Sequence, residues 1–182
     1  MKLVETKLKD CFIIEPQVHV DSRGYFCETF NLKTFHSKIG FNVNFVQDNE
    51  TYSSKGVLRG LHFQKGKHAQ AKLVRVIKGS VLDVALDLRP TSPTFGQYET
   101  VELTGENKKQ FFVPRGFAHG FVVLSETALF AYKCDNFYNK ESEGGIIYND
   151  KDLNINWQLP EIDLLLSEKD KILPTLESYL NA

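Results

Sequence analysis

Alternation of apolar and polar residues with a period of two dominates this chain. It is clearest over residues 79–88, where Val81, Asp83, Ala85 and Asp87 share one face of an extended segment and Leu82, Val84, Leu86 and Leu88 share the other. The wholly apolar face belongs in a core. The other carries two carboxylates beside small side chains, which suits solvent or the polar lining of a cavity. Residues 72–77, 97–103, 111–113, 121–124 and 128–132 continue the β-like pattern between glycines and prolines. Near the N-terminus, Cys11-Phe12-Ile13-Ile14 marks an extended region that breaks at Pro16. Asp21-Ser22-Arg23-Gly24 then reads as a turn, and Tyr25 to Phe30 as a second extended run. Leu32 to Ile39 is the one stretch that predicts a short helix, stopped at Gly40. Residues 56–135 hold nothing of helical length, so the pattern predicts an antiparallel sandwich or barrel rather than βαβ units. In the tail, Ser167-Glu168-Lys169-Asp170 predicts a capped helical turn beginning at Ser167.

Composition narrows the class. The 182 residues, 42% of them hydrophobic, fit one domain with a real core, and 14 phenylalanines with 7 tyrosines favour strands. The 22 basic and 23 acidic residues form no long basic block, so a nucleic-acid partner held by phosphate neutralisation is not expected. No stretch approaches the roughly 18 apolar residues of a membrane span, and Lys2, Glu5 and Lys7 interrupt any signal-peptide pattern. Cys11, Cys27 and Cys134 are odd in number and lack paired spacing. A reduced, cytoplasmic protein is expected.

Two clusters carry candidate chemistry. In Arg59-Gly60-Leu61-His62-Phe63-Gln64, strict alternation puts Gly60, His62 and Gln64 on one face and Arg59, Leu61 and Phe63 on the other. Gly60 would leave open space beside His62 for a bound molecule, although a hydrogen-bonded structural histidine fits the string equally well. In Pro114-Arg115-Gly116-Phe117-Ala118-His119-Gly120, proline and two glycines suggest an imidazole held by a stiff turn. A catalytic metal needs about three protein ligands, commonly i, i+2 on one strand face. The residue two beyond His62 is Gln64, and His68 lies among Lys65 and Lys67, so a metal-free site is expected. Lys72 shares a face with Val74 and Val76. It could point into a cavity and stabilise developing negative charge, or be an ordinary edge lysine. Tyr132, following Phe130 on one face, could equally be a core tyrosine. Arg23, Arg59 and Arg115 could each meet a phosphate, and neither a P-loop nor a dinucleotide fingerprint is present.

Taken in order, several strings resemble the dTDP-4-dehydrorhamnose 3,5-epimerase family. They are Asp21-Ser22-Arg23-Gly24-Tyr25-Phe26-Cys27-Glu28-Thr29-Phe30, Phe45-Val46-Gln47-Asp48-Asn49, Lys55-Gly56-Val57-Leu58-Arg59-Gly60-Leu61-His62-Phe63-Gln64 and Gln70-Ala71-Lys72-Leu73-Val74-Arg75-Val76. Asp83 to Arg89, Ser92-Pro93-Thr94-Phe95-Gly96, Pro114 to Phe121, Tyr132-Lys133, Asn149-Asp150 and Ser167 to Asp170 follow. The resemblance spans about residues 5–174. It implies an all-β, cupin-like jelly-roll sandwich with short peripheral helices. It also implies a homodimer involving an N-terminal segment of about residues 1–30, no cofactor and no metal.

The implied substrate is a nucleoside diphosphate 4-keto sugar, epimerised at C3 and C5 through an enolate. By resemblance, His62 is the base, Asp170 its supporting carboxylate, Lys72 the cation at the C4 oxygen and Tyr132 the acid. Gln47, Asn49, Arg59, His119 and Lys169 resemble sugar and diphosphate contacts, and Tyr138 an aromatic near the nucleobase. Arg23, Phe26 and Glu28 resemble a segment that reaches a neighbouring subunit's pocket. Ile147 and Tyr148 stand where the family often carries arginine and tryptophan, which leaves the nucleotide base open. A 3-epimerase and a non-catalytic sugar-binding cupin are the competing readings.

Overall fold

The computed structural model describes residues 1–181. In chain order it contains β1 (Lys2–Glu5), β2 (Phe12–Glu15), β3 (Val18–Asp21), β4 (Gly24–Cys27), α1 (Leu32–Ile39), β5 (Gln47–Ser54), β6 (Leu58–Gln64), β7 (Lys72–Lys78) and β8 (Ser80–Asp87). There follow β9 (Tyr98–Thr104), β10 (Gln110–Val113), β11 (Phe117–Val123), β12 (Thr127–Cys134), β13 (Glu143–Gly145) and α2 (Leu176–Leu180), with single 3-10 turns between. One antiparallel sheet has the order β1-β2-β10-β7-β12-β5, the other β13-β6-β11-β8-β9, and β3-β4 forms a separate ribbon. This is the expected all-β jelly-roll sandwich.

Three apolar layers explain the stacking. Between the sheets lie Val74, Val76, Phe111 and Phe130 from one side and Val81, Ala85, Leu103, Phe117 and Phe121 from the other. Outside the five-stranded sheet, Leu58, Leu61, Leu82, Val84, Leu86 and Val122 are covered by Ile146, Leu153, Ile155 and Trp157 of the C-terminal segment. Outside the six-stranded sheet, Ile14, Leu73 and Phe112 pack against Phe35 and Ile39 of α1. That helix begins at Asn31, whose Oδ1 accepts from the Thr34 N–H at 3.1 Å, a cap worth about 1 kcal/mol, and it ends at Gly40.

Burial on both faces corrects the expectation for β8. Its leucines form the outer layer under the C-terminal segment, while Val81, Asp83, Ala85 and Asp87 point between the sheets, both carboxylates fully buried. The predicted turn around His119 is also corrected. Pro114 to Gly116 makes the turn, and His119 sits mid-strand in β11, opposite Ala85 on one side and His62 on the other. β5, with the polar sequence QDNETYSS, was not visible as a strand. It owes its conformation to pairing along its whole length with β12, with Gln47, Asn49, Thr51 and Ser53 turned away from solvent. The expected turn at Ser167 is present: the Asp170 N–H donates to Ser167 Oγ at 3.2 Å and opens a 3-10 turn, Asp170–Ile172.

Candidate active site

A register shift in β6 builds the site. His119 of β11 opposes His62 and Phe121 opposes Arg59, so Gly60 and Leu61 together face the single residue Gly120. Such a bulge reverses the side-chain parity beyond it. Leu58, Leu61 and Phe63 accordingly share the outer layer, and Arg59 falls on the inward side with His62, not opposite it as strict alternation predicted. The Arg59 Nη2 donates to Ser53 Oγ at 3.3 Å. Gly60 does not leave open space either. A Cβ there would sit 2.6 Å from the Gly120 Cα and 2.7 Å from the His119 carbonyl oxygen, so the close strand approach itself demands glycine. Gly145 plays the matching part on β13, where a Cβ would strike the Leu173 side chain at 2.7 Å and displace the segment that carries Asp170.

His62 emerges from this bulge into a cavity of about 390 Å³ between the two sheets. Its Nε2 lies 2.6 Å from Asp170 Oδ1. A carboxylate only accepts, so Nε2 carries the proton and the Nδ1 lone pair is left free to act as a base. Asp170 is buried, which raises its pKa, but the hydrogen bond and charge of His62, the Gly60 N–H and Ser167 outweigh burial and hold it below the usual carboxylate value.

The facing wall comes from the six-stranded sheet. Lys72 of β7 and Tyr132 of β12 both line the cavity, with Lys72 Nζ 5.9 Å from the centre of the Tyr132 ring. Burial acts on the two in opposite senses because it favours the neutral form of each. It lowers the Lys72 pKa, against the pull of Cys134, Asp83 and Glu143. It raises that of Tyr132, helped by Cys134 and opposed by Arg59. Gln47, Asn49 and Tyr138 also line the cavity.

Other expected residues lie elsewhere. His119 is 7% exposed and is not on the cavity wall; its Nε2 meets Asp83 Oδ1 at 2.8 Å, deeper between the sheets. Arg23 is exposed and paired with Asp21 at 2.6 Å, Phe26 is 68% exposed, and Glu28 accepts from Asn31 at 3.3 Å; none of the three lines the cavity. Lys169 is paired at 2.6 Å with Glu143, which does line it. Glu143, Gln64, Gln70 and Cys134 on the wall were missed. Glu143 sits in a three-residue strand without any pattern, whereas Cys134 continues the parity of Phe130 and Tyr132 and could have been found. Among the described residues, no group of three or more His, Cys, Asp or Glu side chains is placed to hold a metal ion, and no helix is long and apolar enough to cross a membrane.

A histidine–carboxylate couple facing a lysine and a phenol across a cavity, in a cupin-like jelly-roll sandwich, is an arrangement whose groups are suited to moving a proton. The comparisons with known proteins agree with that class. The family model for dTDP-4-dehydrorhamnose 3,5-epimerase matches residues 5–178, and the chain belongs to this family. It is 52% identical to the dTDP-4-dehydrorhamnose 3,5-epimerase of Salmonella typhimurium, over 99% of this chain and 98% of the relative. The crystal structure of dTDP-4-dehydrorhamnose 3,5-epimerase from Elizabethkingia anophelis superposes with a TM-score of 0.95 at 64% identity, covering 97% of each chain. A dTDP-6-deoxy-D-glucose-3,5-epimerase from Legionella pneumophila, solved in complex with dTDP-4-keto-L-rhamnose, gives 0.93 at 49% identity, covering 97% of this chain and 93% of the other.

Proposed function

We propose that this chain inverts C3 and C5 of a dTDP-linked 4-keto-6-deoxy sugar by proton removal and return through an enolate, with His62 as base and Tyr132 as acid. One observation carries the assignment of roles. His62 belongs to the five-stranded sheet and Tyr132 to the facing six-stranded sheet, and both line the same cavity. A sugar ring lying between the sheets meets the base on one face and the acid on the other, which inversion requires. A single base acting alone would return the proton to the face it came from.

The steps balance without a co-reactant. Nδ1 of His62 takes the proton on the carbon beside the C4 ketone, and the electron pair moves into the ring as the C4 oxygen gains negative charge. Lys72 meets that charge with an ammonium already in place, an effect worth about 2.7–4 kcal/mol when one such donor is removed. Tyr132 then gives its proton to the opposite face of the carbon. Solvent takes the proton from the imidazolium and restores that of the phenol before the second carbon reacts. Asp170 fixes the His62 tautomer and favours the imidazolium. In this reading Gln47, Asn49 and Tyr138 on the wall, with the cations of Arg59 and Lys169 near it, take the nucleoside diphosphate.

The same reading makes the chain one catalytic domain working as a homodimer. The exposed Val20, Tyr25 and Phe26 of the β3–β4 ribbon support this, because a second copy would bury them and receive Arg23, Phe26 and Glu28 at its own cavity. Turnover of the dTDP-4-keto-6-deoxyglucose in deuterated water, followed by proton NMR, tests the chemistry. Deuterium at both C3 and C5 of an inverted product is expected. Label at C3 alone would make the chain a 3-epimerase, and binding without label would leave it a sugar-binding cupin. Sedimentation at twice the chain mass is expected for the dimer.

A further inference from the structure

Tyr138 is 55% exposed, belongs to none of the three apolar layers, and sits in a segment without regular structure. Side-chain packing therefore does not set its position at the cavity wall. The backbone on either side of it is held by one buried amide. Gln64, 7% exposed at the end of β6, accepts from the Asn139 N–H at 2.6 Å and donates to the Phe137 carbonyl at 3.4 Å and the His68 carbonyl at 3.2 Å. Its orientation is settled by its partners, since two carbonyls can only accept and one N–H can only donate. A second stitch lies just upstream, where Gln70 Nε2 donates to the Asn136 carbonyl at 2.8 Å. Downstream, Asn139 Oδ1 accepts from the Ser142 N–H at 3.0 Å. His62 and Gln64 are two residues apart on one strand, so a single rigid element sets the distance between the reacting carbon and the segment that bears Tyr138.

We propose that Gln64 is a positioning residue that clamps the Tyr138 segment and so pre-forms the nucleobase platform of the cavity; this rests on the nucleobase reading of Tyr138. A platform held in place before binding does not have to be ordered by the ligand, and that ordering cost is what the clamp removes.

The test is the affinity of thymidine diphosphate by calorimetry, with steady-state rates on the dTDP-linked keto sugar and on the same keto sugar as its 1-phosphate. In Gln64→Leu, thymidine diphosphate should bind about tenfold more weakly and KM for the dTDP sugar should rise about tenfold, while kcat changes less than about twofold. The 1-phosphate, which has no base to place, should lose less than about threefold in kcat/KM, the part that loss of Gln64 from the cavity wall itself accounts for. Adding Gln64→Leu to Tyr138→Ala should weaken nucleotide binding no further than Tyr138→Ala alone. An equal loss on both substrates, or additive losses in the double variant, overturns the clamp. If Gln64→Leu does not fold, Gln70→Ala takes its place with a loss of nucleotide affinity of about threefold, and unchanged affinity there overturns the proposal. Unchanged affinity in Tyr138→Ala by itself overturns the nucleobase reading, which separates the two failures.

Discussion

Two histidine–carboxylate couples lie side by side, His62 of β6 with Asp170 of the C-terminal 3-10 turn and His119 of β11 with Asp83 of β8, and they differ almost only in what surrounds them. His62 and Asp170 meet at 2.6 Å, His119 and Asp83 at 2.8 Å, and the two histidines are direct neighbours across the strand pair. The His62 side chain is 32% exposed at the cavity; that of His119 is 7% exposed and tilts at 23° over Phe130. Their carboxylates respond in opposite directions. Asp170 receives enough hydrogen bonds to sit below its usual pKa in spite of burial. Burial raises Asp83, opposed by His119 and Lys72, and its Oδ2 has no hydrogen-bond partner among the described residues. The same pair of groups can thus be a proton-transfer device or an internal brace, depending on whether one member reaches the cavity.

Deleting each imidazole should separate these uses most sharply. His62→Ala is expected to lower kcat by about 10²–10⁴ and to stop deuterium incorporation, at a smaller cost in stability than His119→Ala, because Asp170 keeps the Gly60 N–H and Ser167 as hydrogen-bond partners and water can enter beside it. His119→Ala should instead cost about 3–5 kcal/mol of folding free energy by leaving Asp83 buried without its partner, which chemical denaturation would measure. Full epimerase activity in His62→Ala would break the distinction. Lys72→Met comes next, with a loss in kcat of about 10²–10³ at nearly unchanged stability, as expected for a charge needed only where the enolate forms. A smaller effect, about 10² in kcat, is expected for Asp170→Asn, where the imidazole stays but its orientation is lost. A rise in KM alone in Asp170→Asn would mean that Asp170 serves binding instead.

The sequence made one couple visible and hid the other, for a physical reason. His62, Lys72, Tyr132 and Asp170 lie in strings that keep their order along the chain, and it was this resemblance, rather than strand parity, that brought them together, since parity left Lys72 open as an edge lysine and Tyr132 as a core tyrosine. Asp83 was read as a carboxylate facing solvent or a cavity, but it is fully buried and its pairing with His119 depends on the register between β8 and β11, which no local pattern encodes. Arg59 was turned to the wrong side because a single extra residue in β6 reverses alternation, and Gly60 was read as space when it is a contact. β5 carries Gln47 and Asn49 but has no apolar stripe, so only its pairing with β12 makes it a strand. Alternation reports which residues are buried; register decides which of them meet.

The pH dependence of stability offers the finest separation of the two couples, because the carboxylate shifts have opposite signs. Asp170 has a lowered folded-state pKa, so its stabilising contribution is complete above the ordinary carboxylate value and is lost as pH falls from there through the lowered value. Asp83 has a raised folded-state pKa, so the folded protein holds its proton more tightly than the unfolded chain does. Its ionisation therefore costs stability as pH rises from the ordinary value through the raised one, and falling pH recovers that stability in a window above the one where Asp170 loses its own. Each window has a limiting slope of about 1.4 kcal/mol per pH unit for one proton. Urea denaturation of the protein, of Asp83→Asn and of Asp170→Asn across the acid range should show both. Subtracting the Asp83→Asn curve from that of the unmodified protein should leave a gain of stability on acidification, and subtracting the Asp170→Asn curve should leave a loss at lower pH. Parallel curves for Asp83→Asn and the unmodified protein would mean that His119 holds Asp83 ionised throughout, and the contrast between the couples would then rest on access to the cavity alone.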